Sequence, residues 1–137
     1  MIQPSSAALW TGRALTWLFA LFMLGASVAP KLLNMTVAQE NLTQLGWPSG
    51  YLLMIGLIEL TCVVLYLIPR TAVLGAVLMM GLLGGAMATQ IRIGNPLFSH
   101  VLFPVYVGAL LWAGLWLREP RLRALLPLRE REPVAKS

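Results

Sequence analysis

The sequence predicts an all-α integral membrane protein: a four-helix bundle with both termini cytoplasmic and a short interfacial helix in the first outer loop. Three observations carry this. Of the 137 residues, 58% are hydrophobic and 11% charged, against roughly 25% charged in a water-soluble domain. The apolar residues gather into four runs, each near the ~17–25 residues that a helix needs to cross a bilayer. Lysine and arginine fall unevenly between the two sides that these runs define, which sets orientation.

The spans cover about residues 9–29, 51–68, 72–90 and 101–117, so residues 1–127 form one transmembrane domain. Arg13 precedes the first apolar stretch, and small residues Ser27 to Ala29 also suit a signal-peptide cleavage site. Pro30 after that cut, with cations at Arg13 and Lys31, fits a retained helix better. Pro48 and Pro69 bound the second span, since proline suits helix ends. Pro104 lies in the first turn of the fourth, where a missing N–H costs little.

With N-in, C-in topology the inner side holds Arg13, Arg70, Arg118, Arg121, Arg123, Arg129, Arg131 and Lys136, and the outer side only Lys31 and Arg92. Trp10, Tyr66, Trp112 and Trp116 then mark the inner interface, and Trp47, Tyr51, Phe98 and Phe103 the outer one. In the first outer loop, Thr36-Val-Ala-Gln39 has the form of a capping box, and Gly46 with Pro48 forms a helix stop. A short helix over about Val37–Leu45 is expected between them. After the fourth span, Leu122, Leu125 and Leu126 among arginines read as a surface-lying segment. Residues 128–137 read as a mixed-charge cytoplasmic tail expected to be disordered.

Composition also restricts function. The pI near 10.2 does not indicate nucleic acid, because the cations flank apolar spans rather than forming a soluble basic face. Cys62 is the single cysteine, His100 the single histidine, and aspartate is absent. No disulfide, CxxC pair or metal ligand set is expected from that inventory. Cys62 reads as a small buried hydrophobe and His100 as an interface residue.

Glu59 is the one acidic residue in any apolar run. Insertion there costs ~2.5–3.5 kcal/mol, so the position is functional or paired. By i±3, i±4 and i±7 spacing it shares a face with Leu52, Gly56, Cys62, Val63 and Tyr66. Gly56 admits another helix one turn away. In the third span, Gly81, Gly84 and Gly85 form a small-residue face suited to helix packing, on a stripe that runs on through Ala88 to Arg92. Arg13, Thr16, Ala20, Leu24, Ser27 and Lys31 share a stripe of the first. Three readings of Glu59 stay open: a protonated carboxyl bonded locally, an ion pair with Lys31, Arg92 or Arg13, and a working site for protons or ligand.

Several motifs together are similar to the DoxX-like family of small four-helix membrane proteins. They are Arg13 opening the first helix, Gly25-Ala26 leading to Lys31, Leu45-Gly46-Trp47-Pro48, Gly56-Leu-Ile-Glu59, and Pro69-Arg70-Thr71. Gly84-Gly85-Ala86 leading to Arg92-Ile-Gly94, Leu115-Trp-Leu-Arg118, and the run from Arg121 to Pro127 complete them. The resemblance implies a polar set of Arg13, Lys31, Glu59 and Arg92. It also implies an inner-membrane location and an association with membrane oxidoreductases, through a quinone cofactor or a partner subunit. A non-catalytic scaffold that binds partners, lipid or a second copy, and a small solute or proton carrier, are the alternatives.

Overall fold

The computed structural model describes residues 3–48, 50–129 and 131. Most of the tail expected to be disordered, 128–137, lies outside them. The described residues contain helices and no strand. In chain order these are α1 (Ser6–Phe22), a π-helical turn (Met23–Val28), α2 (Ala29–Leu32), α3 (Thr36–Gln44), α4 (Leu52–Leu67), α5 (Ala72–Arg92), a second π-helical turn (Leu97–Val101), α6 (Phe103–Arg118) and α7 (Pro120–Leu125). Three continuous helices, Ser6–Leu32, Ala72–Arg92 and Leu97–Arg118, are long and apolar enough to cross a membrane. Leu52–Leu67 is a shorter apolar helix, ~24 Å at 1.5 Å per residue.

The first helix starts where Ser5 caps it, its side chain accepting from the Ala8 N–H. Its wide turn directly precedes Pro30, and the Ala29 N–H donates to Leu24 O, five residues back. Proline supplies no N–H and its ring crowds the carbonyl four residues earlier; widening the turn relieves that crowding without ending the helix. Pro104 sits in the first turn of α6, as expected.

α1 packs on α6, α6 on α5, α5 on α4, and α4 on α2 and the wide turn that precedes it. The core between them centres on Phe19, Ala20, Val63, Tyr66, Met79 and Leu111. Glycines permit the closest approaches. A Cβ at Gly12 would lie 2.8 Å from Gly114 O, and one at Gly56 would lie 2.9 Å from Lys31 Cβ. The Gly56 expectation therefore holds. Gly81, Gly84 and Gly85 pack against no other helix of the chain: among the described residues all three are exposed, with nothing within 4 Å of an added Cβ. The buried face of α5 is Ala72, Gly75, Ala76, Met79 and Leu83. Gly85 follows Leu83 by two residues and so points about 200° around the helix from it.

Three further expectations change. Thr36 is the first residue of α3, not its cap, and no capping box forms. Gln39 instead donates through Nε2 to Asn34 Oδ1 at 2.8 Å. Gly46 does end the helix, at φ +79, with the Trp47 N–H donating to Leu42 O. Tyr66 is not an interface aromatic but is fully buried. In the surface-lying segment, Leu122 turns into the core while Leu125 and Leu126 remain exposed.

Candidate functional site: a serine–lysine–glutamate ring beside a cleft

Glu59 faces the interior of the bundle and is 4% exposed. The buried residues of α4 are Leu52, Gly56, Glu59, Cys62, Val63 and Tyr66, the face that the helical period defines. Gly56, three residues before Glu59, lets α2 come close, and that approach brings Lys31 over the carboxylate. Lys31 Nζ donates to Glu59 Oε2 at 2.8 Å, the one salt bridge among the described residues.

Ser27 completes the arrangement. Its hydroxyl donates to Glu59 Oε1 at 2.6 Å. Lys31 Nζ donates in turn to Ser27 Oγ at 2.6 Å and to Ser27 O at 3.2 Å. An ammonium has three donors, and all three are used. Serine, lysine and glutamate thus form a closed ring in which both carboxylate oxygens accept a charge-assisted or hydroxyl hydrogen bond. Ser27 belongs to the wide π-helical turn, a deformation that frequently accompanies functional sites. Its presence four residues before Lys31, on the same stripe, was the available sequence signal for it.

Lys31 also lines a cleft of about 470 Å³ under α3. The walls are mostly apolar, with Leu32, Leu42, Trp47, Leu52 and Leu53; Asn34, Gln39 and Thr43 supply polar edges. Lys31 is thus the one ring residue that also lines the cleft, while Ser27 and Glu59 lie behind it. Pockets of this size, mostly apolar with a few placed polar groups, suit small molecules.

The other two cations of the expected polar set lie elsewhere. Arg13 is exposed and stacks over the Trp10 ring at 5.3 Å. It follows buried Gly12 by one residue, which turns it about 100° off the packed face. Arg92 is exposed and donates through Nη2 to Leu45 O at 2.5 Å, tying the end of α5 to the end of α3. Of the three candidate cations, only Lys31 reaches Glu59.

A second interior cluster occupies the opposite end of the bundle. Arg118 Nε donates to Thr16 Oγ1 at 3.1 Å, and its guanidinium lies 5.5 Å from the Tyr66 ring centroid. Tyr66 donates to Leu111 O at 2.6 Å, and Thr16 to Gly12 O at 2.8 Å. Arg118 Nη2 is buried and finds no acceptor among the described residues. In the sequence Arg118 reads as an end anchor; nothing local signals that α6 returns to α1 at Thr16.

Cys62 is 4% exposed and lies in the core between the two clusters. His100 is exposed and bonds to Ser99 Oγ. No group of three or more His, Cys, Asp or Glu that could hold a metal ion occurs among the described residues.

No curated protein and no solved structure matches the chain. The all-helical architecture, its long apolar helices and the interior acidic position agree with the motifs that the sequence carries in order from Arg13 to Pro127. The DoxX-like family model matches residues 14–114, and the chain belongs to that family of membrane proteins.

Proposed function

We propose that the protein is an inner-membrane accessory subunit of an oxidoreductase system, with a quinone-type headgroup bound in the cleft that Lys31 lines. The observation that supports this is that Lys31, which lines a mostly apolar slot, is bonded directly to Ser27 and Glu59. The topology proposed is four spans with both termini cytoplasmic. It rests on the charge asymmetry between loops, with α4 as the shortest span, accommodated by local bilayer thinning and flanking aromatics.

The residues present fit such a group. The slot is mostly apolar and has one cationic residue, Lys31, in its lining. A quinol bound there would supply two-electron chemistry, its electrons leaving to a partner subunit as it is oxidised to the quinone and its protons are released. Lys31 would donate to the ring oxygen by exchanging its longest bond, the 3.2 Å contact to Ser27 O. Glu59 would accept a proton through Ser27, which already donates to it at 2.6 Å. Trp47 and Leu53 would exclude water from the ring face.

Trp47 makes this testable, because a bound quinone quenches a nearby indole. A short-chain ubiquinone or menaquinone analogue should quench the purified protein saturably. The saturable component should vanish in Trp47→Phe, and Lys31→Met should weaken binding about tenfold, the loss expected for one hydrogen bond to a charged group. Absence of saturable quenching in the wild-type protein overturns the proposal. A second reading, a scaffold without ligand, is favoured by one observation: every donor of Lys31 is already satisfied within the ring. Under it, Lys31→Met lowers stability and no quinone analogue binds.

A further inference from the structure

At the end of the bundle away from the Lys31 cleft, the chain turns back on itself after α6. Arg123 governs the turn. Its Nε donates to Trp116 O at 2.8 Å, its Nη2 donates to Leu117 O, and its guanidinium stacks on the Trp116 ring at 4.9 Å. The exposed carbonyls at the C-terminus of α6 are thereby capped by a cation. The Trp116 indole N–H in turn donates to Leu126 O at 3.0 Å. The segment after α7 is thus held against α6, with a gap left beneath it.

That gap is a shallow groove of about 350 Å³ lined by Trp112, Ala113, Trp116, Leu126 and Pro127. It is almost wholly apolar. In the chain, Arg121 precedes and Arg129 follows the lining residues Leu126 and Pro127, and both arginines are exposed, as are Leu125, Leu126 and Leu128. Glu119, the acidic side chain at this end among the described residues, is turned to the backbone, where it accepts from the Arg121 N–H. An apolar slot beside outward arginines, with an indole at the boundary, complements a molecule that is apolar along its length and anionic at its head.

We propose that this groove binds one anionic phospholipid, with an acyl chain against Trp112, Ala113 and Trp116 and the phosphate facing Arg121 and Arg129. Charge complementarity selects this occupant. A zwitterionic lipid fills the groove equally well but gives the two arginines no net charge to neutralise, and guanidinium groups match phosphate oxygens two at a time. The site shares no residue with the Lys31 cleft, so its fate is separate from that of the quinone reading.

Native mass spectrometry of the full chain in detergent tests it, by titration with phosphatidylglycerol and with phosphatidylcholine of identical acyl chains. The wild-type protein should bind phosphatidylglycerol about thirtyfold more tightly, the scale of two basic contacts near a membrane surface. Arg121→Gln with Arg129→Gln should bring the two lipids to parity. Ala113→Trp, which fills the groove, should weaken both. Equal affinities in the wild-type protein overturn the proposal, as does a preference that survives the double arginine variant. Undiminished phosphatidylglycerol binding by Ala113→Trp overturns the groove as its seat. The arginine variant changes only exposed side chains, so its result decides the matter even if Ala113→Trp fails to fold.

Discussion

Replacing Glu59 by glutamine removes one charge and almost no volume, so its effect isolates the electrostatics of the ring. In the native protein the carboxylate accepts from Ser27 at 2.6 Å and from Lys31 at 2.8 Å. A carboxamide offers one acceptor oxygen, and its NH₂ group must then face either the Ser27 hydroxyl or the Lys31 ammonium, both of which are donating. The ammonium is left without a counter-charge. Removing one partner of a buried pair costs about 3–5 kcal/mol. The Lys31 side chain is 20% exposed, and partial contact with water places the expected loss at the lower end, about 3 kcal/mol. Adding Lys31→Met removes the stranded charge, so the double variant should regain part of the loss and show a coupling of about 1–3 kcal/mol. Cys62 provides the assay. It is the single thiol, 4% exposed, and a fluorogenic maleimide reacts with it only as the bundle opens. Heated in detergent, Glu59→Gln should react at a midpoint on the order of 10 °C below wild type. An unchanged midpoint, or single losses that simply add in the double variant, would refute the ring as a source of stability.

Three further outcomes follow from the packing elsewhere in the bundle. Gly12→Val places a side chain against Gly114 O, which lies 2.8 Å from the added Cβ, and should lower stability by about 1–3 kcal/mol through overpacking. Gly85→Ala, on the exposed face of α5, should stay within about 0.5 kcal/mol of wild type; the same thiol assay reads both. Arg92→Ala releases Leu45 O, and hydrogen exchange over residues 36–44 should accelerate while the thermal midpoint holds. Unchanged exchange there would show that Arg92 does not secure α3.

The helical period made the buried face of α4 legible, because a regular helix carries its period without reference to its neighbours. Glu59 and Gly56 were found that way. The choice among cations was not legible. Arg13, Lys31 and Arg92 all sit near helix ends, and which one meets Glu59 depends on the close packing of α2 at Gly56 and on the wide turn before Pro30. The glycine spacing from Gly81 to Gly85 was misleading for a related reason. Small residues permit close packing without requiring it, and α5 packs through Gly75 and Ala76 instead. The Arg118, Thr16 and Tyr66 cluster was hidden because its members come from three helices, and no local pattern joins α6 to α1.

That last cluster bears on how the protein is made. Thr16 and Arg118 are 102 residues apart and bonded, so the first long helix finds its principal neighbour in the last. Once α4 has emerged, Ser27, Lys31 and Glu59 can meet, and the half of the bundle at that end can close. Thr16 already donates to Gly12 O within its own helix, but its Arg118 donor and the Leu111 acceptor of Tyr66 both wait for α6. Until synthesis passes Leu111 the Tyr66 hydroxyl lacks its carbonyl acceptor, and until it passes Arg118 the Thr16 oxygen lacks its guanidinium donor. Arrival of α6 is thus recorded in the molecule as the pairing of a buried tyrosine hydroxyl.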